Sequence, residues 1–184
     1  MALELSLRDA ILAAVPRLRG FAVSLCGNVD RADDLVQETL VRSLTSIDSF
    51  RPGTNLNGWL FTILRNQFRS EYRKRRREVE DVDGRHTASL RSQPEQIGHV
   101  EFAEFRTALV KLPPDQREAL VLVGASGFSY EEAAEICGCA VGTIKSRLNR
   151  ARTRLAELME VEGAADFGPD AATRAILTER QAGT

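Results

Sequence analysis

The chain has 184 residues, of which 43% are hydrophobic and 28% are charged, and its net charge is −1. This composition is sufficient for buried cores, so we expect a soluble protein with one ordinary domain or two small ones. It holds no run of about 18 uncharged apolar residues, the length that indicates a membrane span. The N-terminal segment carries charges at Glu4, Arg8 and Asp9 and no small-residue cleavage site, and we therefore expect no secretory signal.

The first 76 residues have the apolar spacing of helices. Pro16 is expected to end the first helix, because proline cannot donate the backbone hydrogen bond of a helix interior. Gly27 and Asn28 are typical of a helix C-terminus, and Asp30 is a candidate N-cap for the helix that follows. The sequence predicts helices over residues 7–15, 17–25, 30–48 and 56–76.

Residues 78–100 break this pattern. They are acidic at first and then rich in Ser, Gln, Gly and His, without a sustained period, which is typical of a flexible linker. Further helices are predicted over residues 101–111, 114–124, 130–137 and 141–160. We therefore predict an all-α fold of two small helical domains, residues 1–77 and 101–160, and assign no role to the tail over residues 161–184.

The second domain contains the spacing of a helix-turn-helix. Ser129 and Glu132 form a capping box that begins a short helix. Ala134 is small where two crossing helices would meet, Gly138 follows at a turn that needs a positive φ, and Ile144 would lie in the core beneath both helices. The joint pattern favours DNA binding.

The helix after this turn has one apolar and one basic side. Residues 145–154 carry five basic residues and no acid. Short polar side chains at the centre with Lys and Arg at the rims suit a helix in the major groove, although a charged face alone is more often merely solvated. The face consists of Gly142, Ser146, Asn149, Arg150 and Thr153, with Lys145, Arg147, Arg152 and Arg154 at its rims.

The helix after Asp30 has a mixed outer face. Its predicted buried stripe is Ala32, Val36, Leu40, Ser43, Leu44 and Ile47. The opposite face holds Asp34, Gln37, Glu38 and Val41, spaced i, i+3, i+4 and i+7. Such a face is either simply solvated or a docking surface for a basic partner, and the residues alone leave both interpretations open.

The second half of the helix over residues 56–76 is strongly basic. Residues 65–77 hold seven basic residues and one acid. Its predicted buried side is Leu56, Leu60, Ile63, Leu64, Phe68 and Tyr72. The opposite side is Thr62, Arg65, Asn66, Arg69, Arg73 and Arg76, which suits contact with a nucleic-acid strand or duplex. Trp59 at the rim would either stack on an unpaired base or pack in the core, and the polar loop over residues 51–55 could line a pocket for an extruded base.

Cysteine and histidine usage does not indicate a metal site, a cofactor or catalysis. Cys137 and Cys139 are too close for an ordinary disulfide, and with Cys26 they fit a reducing cytoplasm. His86 and His99 lie in the predicted linker and have no partner placed by a motif. We therefore expect neither an enzyme nor a small-molecule substrate.

Three segments together resemble the extracytoplasmic-function sigma factors of bacteria. They read DRADDLVQETLVRSL, then FRPGTNLNGWLFTILRN with its basic run, then LPPDQREALVLVGASGFSYEEAAEICGCAVGTIKSRLNRARTRL. The resemblance covers residues 10–76 and 101–160. The GASGFSYEEAAEICGCAVGTIKSR stretch is most similar to the branch that drives the alphaproteobacterial general stress response.

The resemblance implies that the two domains are sigma regions 2 and 4. It implies core RNA polymerase (β′ and β subunits), promoter DNA and a small anti-sigma factor as partners. It assigns docking on the β′ coiled coil to Asp34, Gln37 and Glu38, and Val41 on the same face is predicted to join them. It assigns the −10 element to Asn55, Trp59, Thr62, Arg65, Asn66, Arg69 and Arg73. It assigns the −35 element to Thr143, Lys145, Ser146, Arg147, Asn149 and Arg150.

A stand-alone helix-turn-helix repressor is the alternative interpretation. Such proteins usually bind DNA as dimers with a ligand domain, whereas the first domain here has a basic face and an acidic face but no evident ligand pocket. A repressor would block transcription, and a sigma factor would be required for it.

Overall fold

The computed structural model describes residues 2–80 and 100–159, with side-chain surroundings for residues 7–77 and 104–159. Every regular element in these ranges is helical, which confirms the predicted all-α class. The helices are α1 (Ala2–Cys26), α2 (Val29–Thr45), α3 (Leu56–Glu80), α4 (Val100–Lys111), α5 (Pro114–Gly124), α6 (Tyr130–Cys137) and α7 (Val141–Met159), with a single 3-10 turn at Ile47–Ser49. We call α1–α3 the first unit and α4–α7 the second unit.

The predicted linker overlaps both described ranges. Helix α3 continues to Glu80 and α4 begins at Val100, so the ends of the predicted linker belong to helices. Residues 81–99, with His86 and His99, and the tail after residue 159 lie outside the described residues. In the second unit, the predicted helix bounds agree with the structure to within one residue.

Helix α1 runs through Pro16 without a break, so the predicted end at this residue is wrong. A proline inside a helix costs about 3 kcal/mol. One apolar stripe continues across it with unchanged register: Ile11, Ala14, Leu18, Phe21, Ala22 and Leu25 are all at most 4% exposed. Each large side chain on this stripe contributes about 1.5–3 kcal/mol by its burial, which together exceeds the cost of one missing hydrogen bond.

Helix α2 is capped two residues earlier than expected. The side chain of Asn28 accepts a hydrogen bond from the backbone N–H of Arg31 at 2.9 Å, whereas Asp30 lies inside the first turn. The predicted burial of Leu44 is also wrong, since this residue is 46% exposed. The buried positions are Ala32, Leu35, Val36, Thr39 and Ser43. The buried Thr39 hydroxyl donates to the carbonyl of Leu35 at 2.7 Å, so a polar residue fits this stripe at little cost.

Helix α3 leaves the core earlier than its apolar spacing predicts. Leu60, Phe61, Leu64 and Phe68 are buried, but Tyr72 is 44% exposed. Its ring centroid lies 6.2 Å from that of Phe68, one turn earlier, and the arginine run that follows is exposed. Tyr72 therefore marks the boundary between the packed and the solvated parts of α3, and its predicted burial is wrong.

The two units pack against each other through a row of three aromatic rings. Phe21 stacks on Phe61 at 5.0 Å between centroids, and Phe61 meets the edge of Phe128 at 4.9 Å. Arg17 places its guanidinium carbon 5.6 Å from the Phe128 ring centroid and donates to the carbonyl of Ser126 at 2.7 Å. The buried side chains of both units thereby form one continuous core.

Within the described ranges, none of the helices combines the length and the apolar character needed to cross a membrane.

Candidate nucleic-acid interface

Helices α6 and α7 form the predicted helix-turn-helix. The Ser129 side chain accepts from the backbone N–H of Glu132 at 3.1 Å, and the Glu132 carboxylate accepts from the N–H of Ser129 at 2.9 Å, which completes the capping box. Gly138 ends α6 with a φ of +61°, in the left-handed region that glycine adopts most easily. Ile144 is fully buried and fixes the start of α7 against this turn.

Helix α7 buries the expected stripe and exposes the opposite face. Ile144, Leu148, Ala151 and Leu155 are buried. Of the predicted −35 residues, Lys145, Asn149 and Arg150 are exposed, whereas Thr143, Ser146 and Arg147 are half-buried.

Neighbouring side chains fix part of this face before any DNA is bound. The Arg147 guanidinium lies 3.2 Å from the Asp115 carboxylate on α5, and the Lys145 ammonium lies 5.7 Å from the centroid of the Tyr130 ring. Arg150 approaches the Ser146 hydroxyl at 3.4 Å. Ordered side chains lose less conformational entropy when they bind, which favours a defined contact pattern.

The polar face of helix α3 is less exposed to solvent than predicted. Asn66 and Arg73 are exposed, and Thr62 donates to the carbonyl of Gly58 at 2.8 Å. The side chains of Arg65 and Arg69, expected on the outer side, are only 12% and 29% exposed. They are covered because the second unit packs on this part of α3.

One buried carboxylate on α5 binds both of these arginines. Arg65 Nε donates to Glu118 Oε2 at 2.9 Å, Arg69 Nε donates to Glu118 Oε1 at 2.7 Å, and Arg69 Nη2 donates to Oε2 at 2.9 Å. The hydrogen bonds that Arg69 donates to Glu118 raise the pKa of Arg69 above its ordinary value. Glu118 is 0% exposed, and its two partners leave the cluster with a net positive charge.

Asn55 and Trp59 lie where the loop enters α3. The Asn55 side-chain oxygen accepts from the N–H of Gly58 at 3.0 Å, and its amide nitrogen donates to Glu132 Oε1 at 2.6 Å. Trp59 is half-buried, with its ring centroid 5.3 Å from that of Phe50. Trp59 is therefore packed on one side and accessible on the other, which is compatible with both interpretations left open by the sequence.

The outer face of α2 is fully available. Asp34, Gln37, Glu38 and Val41 are all exposed, and Val41 is 60% exposed beside Leu44 at 46%. Glu38 is paired with Arg42 one turn later at 2.7 Å. Two exposed aliphatic side chains therefore lie next to carboxylates on this face of α2.

Arg117 and Glu118 were not predicted as functional residues from the sequence, although both are buried at the junction of the units. The sequence feature that could have revealed Glu118 is its position on α5. Glu118 precedes the fully buried Leu122 by one helical turn, so a carboxylate lies within an apolar stripe. A charged residue that deep needs a partner, and Glu118 has its ion-pair partners, Arg65 and Arg69, on α3.

The cysteines do not form a reactive group here. All three are unpaired, and burial raises the pKa of Cys137 to about 11. Burial also raises the pKa of Cys26. Both thiols are therefore protonated near neutral pH and act as small apolar core side chains.

Family comparisons agree with this arrangement. The sigma-70 region 2 family matches residues 11–78, and the sigma-70 region 4 family matches residues 102–155. The chain is 71% identical over 177 residues to the ECF RNA polymerase sigma factor EcfG of Rhodopseudomonas palustris, an alignment that covers 96% of this chain and 98% of that protein.

Two solved structures extend the comparison. The sigma factor RpoE in complex with the anti-sigma factor NepR from Bartonella quintana is 54% identical with a TM-score of 0.77, covering 84% of this chain and 97% of that one. CnrH in complex with the cytosolic domain of CnrY is 26% identical with a TM-score of 0.66, covering 87% of this chain and 91% of that one. The chain therefore belongs to the extracytoplasmic-function family of RNA polymerase sigma factors, which are transcription initiation factors and not enzymes.

Proposed function

We propose that residues 1–77 and 101–160 act as sigma regions 2 and 4, and that the outer face of α2 is the surface that docks on core RNA polymerase. The observation that carries this proposal is the exposed combination of Asp34, Gln37, Glu38 and Val41 on one side of α2. Carboxylates around an exposed aliphatic side chain suit a basic helical partner, since they give both charge complementarity and apolar contact.

Promoter DNA is contacted by the two other polar faces. The exposed part of α7, with Lys145, Asn149 and Arg150, suits base edges and phosphates of the −35 element in a major groove. The polar face of α3 and the accessible side of Trp59 suit the −10 element, where strands separate and bases become available for stacking. The thiols of all three cysteines are unpaired, which supports action in the reducing bacterial cytoplasm.

Control by a small anti-sigma factor is part of the same proposal. The support is the likeness to RpoE solved with the anti-sigma factor NepR, at 54% identity. The likeness to EcfG of Rhodopseudomonas palustris supports a place among the stress-response members of the family.

The test of the docking surface uses charge reversal. We expect Asp34→Lys with Glu38→Lys to abolish run-off transcription with core polymerase, because two repulsive charges would face a basic partner. Both side chains are exposed, so the free energy of unfolding should change by no more than about 0.5 kcal/mol.

The control is Asp9→Lys with Asp48→Lys, two charge reversals of the same kind at exposed positions away from the α2 face. It should transcribe like the wild type. Normal co-purification of the double variant with core polymerase would contradict the assignment of the α2 face.

A further inference from the structure

An open groove is lined by α1 of the first unit and by α4 and α5 of the second unit, with Leu155 of α7. Its volume is about 770 Å³. The half-buried side chains of Val23, Phe105 and Val110 give it apolar surface. A groove of this size can hold a large side chain together with its neighbours. The residues proposed above for contact with polymerase and DNA do not line it, so it is a separate surface.

The charged side chains at the groove are all basic. They are Arg17, Arg19 and Arg106, each of them exposed, and no carboxylate is among the described residues that line the groove. Arg19 is neutralised by Asp33 at 2.6 Å, whereas Arg17 donates to the neutral carbonyl of Ser126. The groove therefore suits an occupant that combines an apolar side chain with carboxylates.

Gly20 leaves one wall of the groove without a side chain. It lies inside α1, and a Cβ added there would meet no atom within 4 Å. Glycine in a helix interior costs about 0.5–1 kcal/mol relative to alanine. Packing among the described residues does not account for this glycine. A second segment of chain that approaches α1 closely would account for it, because such an approach needs a position without a side chain.

The C-terminal tail begins beside this groove. Helix α7 ends at Met159, four residues after Leu155, which corresponds to about 6 Å along the helix axis. Residues 160–170 lie outside the described residues, and their sequence is EVEGAADFGPD. This stretch holds four acids, no basic residue and one aromatic residue, Phe167. Eleven residues can span about 35 Å, which is enough to cross the groove.

We propose that residues 160–170 of this chain occupy the groove, with the Phe167 ring against its apolar side chains and the carboxylates of the segment beside Arg17 and Arg106. A segment tethered at so short a distance has an effective concentration in the millimolar range, so even a weak site is mostly filled. An outside partner that uses the same groove must first displace the tail. This inference is independent of the proposed polymerase and DNA surfaces.

The other stretch outside the described residues fits the groove less well. Residues 81–99 contain Arg85 and Arg91 and no aromatic residue. Two further arginines beside a basic rim would be repelled, and an apolar groove gains most from a large ring.

The test uses the full-length protein and a fluorescent peptide with the sequence of residues 160–170, whose binding is measured by anisotropy. We expect Phe167→Ala to bind the added peptide about tenfold more tightly than the wild type, the gain that follows if the chain's own segment fills the groove nine-tenths of the time. Leu177→Ala removes an apolar side chain from the same tail but outside this segment, and it should bind the peptide like the wild type.

A second pair of variants locates the peptide. In the Phe167→Ala background, Gly20→Leu should abolish peptide binding, because the new side chain fills the groove. Gly142→Leu is the matched control, since Gly142 is also a helical glycine at which an added Cβ meets no atom within 4 Å, and it does not line the groove. It should leave peptide binding unchanged.

Three outcomes would overturn the proposal. Equal peptide affinity in the wild type and in Phe167→Ala would show that the chain's own tail does not fill the groove, which would then be left to an outside partner. Peptide binding that persists in the Gly20→Leu variant would place the peptide elsewhere. A peptide that binds none of these proteins would show that the segment has no affinity for this surface.

Discussion

Arg117 shows how a single side chain can complete the hydrogen bonding of two helix ends. Its guanidinium donates to the carbonyl of Leu25 in the last turn of α1, to that of Val110 in the last turn of α4, and to that of Leu112 just after α4. Carbonyls in a last helical turn have no partner further along the helix, so those of Leu25 and Val110 depend on outside donors. Burial lowers the pKa of Arg117, which reflects the cost of holding this cation out of water.

We expect Arg117→Met to lower the free energy of unfolding by about 3 kcal/mol, because it keeps the apolar length of the side chain but leaves several buried carbonyls unsatisfied. Arg117→Lys should recover part of this loss, since an ammonium donates from one point and cannot reach all three carbonyls. Urea unfolding followed by circular dichroism gives the values. A methionine variant as stable as the wild type would mean that the desolvation cost of the arginine equals the benefit of its hydrogen bonds.

Two glycines show opposite local demands within the α6–α7 element. Gly138 has a φ of +61° and Gly142 lies inside α7, and a Cβ added at either position would meet no atom within 4 Å. The effect of alanine at each position is therefore purely conformational. We expect Gly138→Ala to cost about 1 to 2 kcal/mol, because the left-handed region disfavours a Cβ. Gly142→Ala should instead stabilise by about 0.5 to 1 kcal/mol, since alanine loses less entropy in a helix.

Thermal unfolding of the two alanine variants checks the signs. The same substitution should lower the midpoint at one position and raise it four residues later. Shifts of equal sign would show that packing, and not backbone conformation, controls this turn.

The exposed face of α7 makes a separate prediction about DNA. Arg150 is exposed, and its contact with the Ser146 hydroxyl is long at 3.4 Å, so its guanidinium is available to a ligand. If Arg150 binds a phosphate, Arg150→Ala should weaken promoter binding by the polymerase complex for all sequences and reduce the salt dependence by about one released ion. A bidentate contact to guanine would instead relax specificity at one base pair at a cost of about 1–3 kcal/mol.

A salt titration of promoter binding distinguishes these two contacts. Arg8→Ala, an equal charge loss at an exposed position on α1, is the control. Promoter binding that is the same for Arg150→Ala and the wild type at every salt concentration would exclude Arg150 from the interface.

At the scale of elements, much of this fold follows from apolar spacing. The capping box at Ser129, the turn at Gly138 and the buried Ile144 are local features, and each was predictable because neighbouring residues determine it. The errors at Pro16 and Tyr72 have a different origin. Tertiary packing carried α1 through its proline, and the end of the packed region left Tyr72 exposed on an otherwise regular stripe.

The contacts between units could not be predicted in the same way. Helical periodicity indicates which side of α3 is polar, but it does not indicate which other part of the chain packs on that side. Arg65 and Arg69 follow the pattern of a solvated face, and only the fold brings the Glu118 carboxylate to them. The proposed DNA residues were therefore identifiable by type and spacing, whereas their occupation by a second part of the chain was not.

At the scale of the whole molecule, the continuous core couples the two units. Phe21, Phe61 and Phe128 link α1, α3 and the α5–α6 turn through direct ring contacts. Units that share buried surface in this way should unfold in one cooperative transition. Trp59 is the only tryptophan, so its fluorescence reports on the first unit alone, while circular dichroism reports on all helices.

This coupling predicts that a destabilising substitution in the second unit also lowers the unfolding midpoint of the first unit. Ile144→Val removes one buried methylene group from the fully buried core of α7 and should cost about 0.5–1.5 kcal/mol. In urea unfolding of the free protein, the Trp59 fluorescence midpoint should fall together with the circular dichroism midpoint, although Ile144 and Trp59 belong to different units. Thr153→Ala, at an exposed position on α7, should change neither midpoint.

In a Glu118→Gln background the units are held together less firmly, so the effect of Ile144→Val on the Trp59 fluorescence midpoint should be smaller. If Ile144→Val in the otherwise wild-type protein does not change the urea midpoint measured by Trp59 fluorescence, the two units unfold independently.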